Sequence, residues 1–175
     1  MKFLDVFNPI VKGSHGFTDE AIYSSLNTVG EILPLYGGNS QHTFTERYVS
    51  SNAITIDGSN IRIFSGEGII ISLDGSSGSM TYKNNEKFTL NHHAGFITLN
   101  QNGQRKINLH YFSLFMQNRY KSLSVSDGTK TLSLSQIYSD DFYLPDKKVQ
   151  DKIVNSLVQT MERCKKLEKN SRIYL

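Results

Sequence analysis

Two short segments of this chain carry the residue types that meet an anionic ligand. Asp74-Gly75-Ser76-Ser77-Gly78-Ser79 mixes glycine and serine between two apolar runs, with Tyr82 and Lys83 just beyond. Glycine lets a backbone come close to a phosphate, and serine supplies a short donor. Gly128-Thr129-Lys130-Thr131 surrounds one lysine with hydroxyls, a second pattern suited to phosphate. A third polar segment, Gly37 to His42, brings Asn39, Gln41 and His42 together, and Asn and Gln can read adenine bidentately in the major groove. Each segment alone also reads as a plain surface turn, because surface turns are polar in any case.

Other chemistries find less support. The pattern GxxxxGK[ST] is absent, as are GxGxxG and GxSxG, which removes the common nucleotide-binding and serine-hydrolase signatures. Asn8-Pro9-Ile10 lacks the second proline and the aromatic of an amino-methyltransferase, and no glycine-rich S-adenosylmethionine loop is present. Asp146-Lys147-Lys148 places a carboxylate beside lysines, but at a helix start without a strand-borne partner, so it makes a poor nuclease centre. His92 and His93 are neighbours before a strand, and on an extended segment they point to opposite faces, so they do not share a metal. The single cysteine, Cys164, excludes an internal disulfide and a cysteine-rich zinc site. No metal site and no bound cofactor is expected.

The net charge of +3 conceals an asymmetry. Residues 1–100 carry 6 Lys/Arg against 9 Asp/Glu, a net −3, whereas residues 101–175 carry 13 against 7, a net +6. A polyanion is a reasonable partner for the second half, and a solvated basic helix explains much of the excess too. No apolar run approaches the ~20 residues of a membrane span. The N-terminus lacks a signal peptide's apolar stretch, so a cytoplasmic location is the expectation.

The elements that must position these residues fall into two parts. Thr18-Asp19-Glu20 can open a short helix. Between residues 52 and 100 the pattern is one of short strands: 53–56 and 61–64 around the turn Asp57 to Asn60, then the wholly apolar 68–73, then 79–82, 88–90 and 95–99. Asn108 is a fitting N-cap for a helix whose apolar residues nearly encircle it, a core helix. A helical turn at 132–138 and a last strand at 142–144 lead to Pro145. From Asp146 onward Val149, Ile153, Val154, Leu157, Val158, Met161, Cys164 and Leu167 recur at three- and four-residue steps, one broad apolar stripe. Thirty residues of helix reach roughly 45 Å, too far to be covered by the chain's own domain. The sequence therefore predicts an α+β protein: a β-rich domain over 1–145, then a long amphipathic helix over 146–175 that seeks a second helix.

In order, these pieces resemble the target recognition domain and spacer helix of a type I restriction-modification specificity (S) subunit. The resemblance runs over roughly residues 28–175. Gly30 to Gly38 is similar to that family's opening segment with its aromatic-glycine end. Gly68 to Ser72 and Gly78 to Tyr82 are similar to its strand, G-x-x-G, strand hairpin. Asn91 to Gly95 and Gly128 to Leu132 follow. Phe142-Tyr143-Leu144-Pro145 and then Gln150 to Val154 resemble the start of the spacer helix, although Tyr143 stands where a proline is usual and Asp151 stands where the family has Glu or Gln.

What the resemblance implies is specific. S subunits carry two recognition domains, each followed by a long helix, and the helices pair as an antiparallel coiled coil. Each domain reads half of a split duplex target. The subunit is not catalytic. It directs methyltransferase (M) subunits, which carry S-adenosylmethionine, and the restriction (R) subunit. A chain with one such unit is expected to be a half-subunit that forms a homodimer through its helix, or a piece of a two-domain subunit. Lys83, Arg105, Lys106 and Lys130 are the expected phosphate contacts, and Asn39, Gln41, His42, Ser76 and Ser77 are expected near base edges. Val149, Ile153, Val154, Leu157, Met161 and Cys164 are the expected pairing stripe, broken by Val154→Asp or Leu157→Asp. Two other readings stand beside this one: the recognition domain of a fused type II restriction-methylation enzyme, and a non-catalytic protein-interaction module.

Overall fold

A computed structural model describes residues 1–38, 42, 45 and 47–171. Its centre is β5 (Gly68–Ser72), the strand the apolar run predicts, and every residue of it is buried. Alternation assigns its side chains to two cores. Ile69 and Ile71 join Phe3, Phe7, Phe112 and Tyr120 in the larger core, while Ile70 joins Tyr36, Phe64, Phe88 and Phe96 in the second. A strand buried on both faces needs apolar residues at successive positions, which is why GIII shows no alternation; the polar Ser72 is buried at its end.

β5 belongs to an antiparallel sheet of order β1-β8-β5-β6, with β1 (Val11–Lys12), β6 (Met80–Lys83) and β8 (Ala94–Ile97). Its register pairs Ile70 with Thr81 on one side and with Phe96 on the other. A second sheet has the order β3-β2-β7-β4, from β2 (Ile32–Tyr36), β3 (Tyr48–Ser50), β4 (Ile63–Phe64) and β7 (Phe88–Leu90). Here β2 and β7 run parallel, with Leu35 opposite Thr89. The rings of Phe64, Phe88 and Phe96, with centroids 5.3 to 5.7 Å apart, pack between the sheets, Phe64 stacked on Phe88 and Phe96 edge-on to both. Of the sequence-predicted strands, 53–56 and 61–64 shrink to one bridge, Ile54 to Asn60, and to β4; 142–144 is not a strand.

The longest of the domain's helices packs on β5 and β6 of the first sheet, and two later helices pack on it in turn. α1 (Asp19–Ser25), capped by the Thr18 hydroxyl on Ala21 N–H, instead lies on β3. α2 (Gln101–Lys106) has no counterpart among the predicted elements, since Asn-Gly within six residues reads as a turn. α3 (Leu109–Leu123) starts where Asn108 accepts from Tyr111 N–H at 2.9 Å. It is a core helix on one side only: Phe112 and Tyr120 are wholly buried, while Leu114 and Phe115 are exposed. β9 (Val125–Asp127) and β10 (Thr129–Thr131) form a hairpin turning at Gly128, and α4 (Leu134–Ser139) follows with a capping box from Ser133 and Gln136.

α5 (Lys147–Ser171) is rooted in the domain before it leaves it. Gln150 is fully buried, donates to the carbonyls of Lys106 (2.8 Å) and Pro145 (2.7 Å), and accepts from Asn108 N–H at 2.9 Å. Asp151 accepts from the Asn108 side chain at 2.7 Å. One turn on, Val154 is 6% exposed and belongs to the larger core. This corrects one assignment: Val154 packs inside its own domain and does not face a second helix. Ile153 is half-buried against the same core. Val149, Leu157, Met161 and Cys164 remain exposed. Together with Leu167 they leave the outer part of the stripe bare. No helix among the described residues is long and apolar enough to cross a membrane.

Candidate functional site

Three polar segments that are far apart in sequence meet at one end of the first sheet. The chain leaving β5 donates Leu73 N–H to the carbonyl of His93 at 2.8 Å and accepts Leu132 N–H at 2.7 Å. Asp74 bridges to Thr131, and Gly75 N–H donates to the carbonyl of Lys130 at 3.1 Å. Ser76 N–H donates to the carbonyl of Gly38 at 3.0 Å. The segments 37–38, 74–79 and 129–131 are thus one hydrogen-bonded unit. His93 joins it through Nδ1, 2.9 Å from the Asp74 carboxylate. The turn itself needs glycine: Gly75 and Gly78 have φ of +71° and +82°, in the left-handed region.

The unit frames a cleft of about 330 Å³ lined by Gly75, Ser76, Ser77, Ser79, Lys121 and Lys130. Lys121 comes from the last turn of α3, and Lys130 from the middle of β10. Both are exposed, and neither has a carboxylate partner among the described residues. The hydroxyls of Ser77 and Ser79 are 3% and 1% exposed and have no hydrogen-bond partner among the described residues. A buried hydroxyl without a partner costs about 1–3 kcal/mol, so two of them beside two lysines mark a place suited to an acceptor-rich, negatively charged group.

The structure divides the residues singled out from sequence. Ser76, Ser77 and Lys130 come together in this cleft. Lys121 joins them without any local signal in the sequence, where it reads as an ordinary helix-surface lysine. Arg105 and Lys106 lie in α2, beside the start of α3, whereas the cleft is at the end of α3, roughly 20 Å away by helix rise. They are exposed but do not share the cleft. Lys83 is corrected: it is 5% exposed, donates to Tyr36 Oη at 3.1 Å and to Glu86 at 2.6 Å, and its charge lies over the Tyr36 ring. A cation so paired is not a surface phosphate contact. Asn39 and Gln41 lie outside the described residues. His92 and His93 also depart from expectation, because Asn91 to His93 is a turn and their ring centroids come within 3.8 Å. Among the described residues no group of three or more His, Cys, Asp or Glu is placed to hold a metal ion.

His42 is the second correction. Its side chain is fully buried, not at a base edge, and its Nε2 lies 2.8 Å from the carbonyl of Gly37. A carbonyl only accepts, so Nε2 carries the hydrogen and Nδ1, 3.2 Å from Thr81 Oγ1, accepts. His42 therefore props the segment that Ser76 leans on. Burial, reinforced by the charge of Lys83 and opposed by the Gly37 hydrogen bond, lowers its pKa from the usual 6.5 to about 4. The unfolded chain then binds the proton more tightly than the folded one. Stability from this residue is complete above pH 6.5 and is lost as pH falls through the window to about 4. The loss is on the order of 3 kcal/mol. Denaturant midpoints across that window should fall steeply for the wild-type chain and distinctly less for His42→Gln; equal slopes would rule this out.

The family model described as "Type I restriction modification DNA specificity domain" matches residues 17–174. No curated protein matches the chain. Among solved structures, the S subunit of a type I restriction-modification system from M. genitalium is 16% identical, with a TM-score of 0.64 over 97% of this chain and 40% of that one. A structure concerned with complex assembly and conformational transition of the type I R-M system is 15% identical, with a TM-score of 0.65 over 97% of this chain and 39% of that one. At such identities the likeness is one of fold. This chain spans about 40% of the length of those structures.

Proposed function

This chain belongs to the type I restriction-modification DNA specificity domain family, and we propose that it reads one half of a duplex target as an S subunit or half-subunit. It contributes recognition and no chemistry. M subunits, carrying S-adenosylmethionine, and the R subunit act at the site it selects. The observation that carries this reading is the cleft, where two unpartnered serine hydroxyls and Ser76 stand beside Lys121 and Lys130. Lysines at such a site meet backbone phosphates and set register, while Ser76, the half-buried serine of the tethered loop, is the one placed to approach a base edge.

Binding to random duplex, titrated with salt, tests it. Lys130→Ala should weaken binding to all sequences alike and flatten the slope of log K against log salt by about one unit. An unchanged slope removes Lys130 from the interface, and no binding even at low salt overturns the reading in favour of a protein-interaction module. Selection of random duplexes by the chain with its methyltransferase would then give the sequence read.

The bare stripe of α5 supports a second part of the proposal. Ile153, Leu157 and Met161 line an open apolar groove with Lys152, Ser156 and Thr160. A groove of this kind along a helix fits another helix laid antiparallel, with side chains interlocking. In a symmetric pair of this chain the target would be an inverted repeat, because two-fold protein symmetry is mirrored in the DNA.

A further inference from the structure

A second polar pocket shares no lining residue with the cleft or with the groove of the long helix. Its volume is about 380 Å³, and Lys12, Ser14, His15, Asp57, Arg62 and His92 are on its walls. It is built by a close approach of backbones. A Cβ on Gly13 would stand 2.2 Å from the carbonyl oxygens of Leu90 and Asn91, so only glycine lets the chain after β1 press onto β7. Ser14 N–H then donates to the carbonyl of Leu90 at 2.8 Å. Arg62 is tied to the same wall: its N–H donates to Ser14 Oγ at 2.9 Å and its Nη1 to the carbonyl of Lys12 at 2.7 Å. A guanidinium has five N–H donors, so four remain on a fork that the Lys12 carbonyl holds in place.

The charges select the ligand. Lys12 and Arg62 are set against one carboxylate, Asp57, which is occupied by the Thr55 hydroxyl and by Ser59 N–H at 3.3 Å. The balance is one positive charge, which suits a singly charged phosphodiester better than a doubly charged free phosphate. The pocket also connects to the cleft. His15 stacks on His92 with centroids 4.0 Å apart, His92 touches His93 at 3.8 Å, and His93 meets Asp74 at 2.9 Å. A run of contacting side chains therefore joins the two along one rim.

We infer that the Lys12–Arg62 pocket binds a backbone phosphodiester of the duplex, a second anchor that extends the footprint from the cleft across the N-terminal strand. This rests on the DNA reading above and adds to it a contact site on the acidic half of the chain, where charge counting looks least promising. An arginine fork held by a carbonyl matches phosphate oxygens in a fixed orientation, and Ser14 adds a hydroxyl.

The test is duplex binding by the full chain across a salt series, with wild type, Arg62→Gln, Lys12→Gln and Lys130→Ala. Arg62→Gln should flatten the salt slope by about one unit and weaken all sequences alike, and its effect should add to that of Lys130→Ala. Lys12→Gln leaves the Arg62 anchor, which is a backbone carbonyl, and should flatten the slope similarly; thermal unfolding of each variant checks that the fold is intact. If Lys130→Ala flattens the slope while Arg62→Gln and Lys12→Gln leave it at the wild-type value, the pocket is outside the footprint and the inference fails, although the DNA reading stands. If no variant or wild type binds duplex, the DNA reading itself has failed. A last arm uses inorganic phosphate: stabilisation of wild type but not Arg62→Gln, with an unchanged duplex slope, would assign the pocket to free phosphate and overturn the diester assignment.

Discussion

Val154→Asp should destabilise the domain by about 3–5 kcal/mol, whereas Leu157→Asp, three residues on, should leave the domain's stability nearly unchanged. The two positions lie on the same stripe and look equivalent in sequence. Val154 is 6% exposed and shares a core with Leu109, Phe112 and Leu144, so an aspartate there has no partner and no water. For a domain of this size the midpoint of thermal unfolding should drop by on the order of 10 °C. Leu157 is 37% exposed on the outer groove, where a carboxylate stays solvated. Its effect should appear instead in mass: at high micromolar concentration wild type should sediment as a pair and Leu157→Asp as a single chain. A wild-type chain that is monomeric there would overturn self-pairing, and a Val154→Asp chain as stable as wild type would place Val154 outside the core.

The contrast between these two residues shows how far the stripe could be read. Periodicity says which residues share a helix face, but not how many turns of that face the parent domain covers. Gln150 settles it locally. As a polar residue on the stripe it looks like a break, yet it is fully buried, with three hydrogen bonds to the backbone of Lys106, Asn108 and Pro145. Segments with a strong local cause were legible: the isoleucine run of β5, the Asn108 cap of α3, and the Thr18 cap of α1. α2 was not, although the Asn100 side chain caps it locally, since Asn102-Gly103 reads as a turn and the helix packs tightly on the N-terminal segment, where a Cβ on Gly103 would lie 1.8 Å from the carbonyl oxygen of Val6.

Side-chain chemistry was legible only where the backbone left it exposed. Lys130 and Ser76 do line one cleft, as segments near strand turns come to the surface. Lys83 and His42 misled for the opposite reason. Each sits next to glycine or polar neighbours, but sheet pairing turns Lys83 inward onto Tyr36 and burial closes over His42. Lys121, Lys12 and Arg62 carried no signal, because their places in the two pockets come from α3 meeting the Gly78 turn and from the chain after β1 pressing onto β7, both long-range events. The charge asymmetry pointed to the second half of the chain, whereas the cations that share pockets come from both halves.

Gly78→Ala should cost about 3 kcal/mol or more and disable the cleft, although it adds one methyl group. Two effects combine. With φ at +82°, any side chain at this position is strained by roughly 1–2 kcal/mol. The added Cβ would also lie 2.4 Å from Lys121 N and 2.5 Å from Tyr120 C, which are helix backbone atoms that cannot swing aside. To relieve the overlap the turn must part from the end of α3, and that contact is what places Lys121 beside Ser76 and Ser77. Gly128→Ala separates the two effects. Its φ is +90°, but nothing lies within 4 Å of its Cβ, so it should cost only the conformational part, about 1–2 kcal/mol. Chemical denaturation of both variants measures the difference, and duplex binding at a temperature where both are folded should be weakened by Gly78→Ala far more than by Gly128→Ala. Equal costs would mean that the turn and α3 move together freely, and the cleft would then not be a fixed arrangement of hydroxyls and lysines.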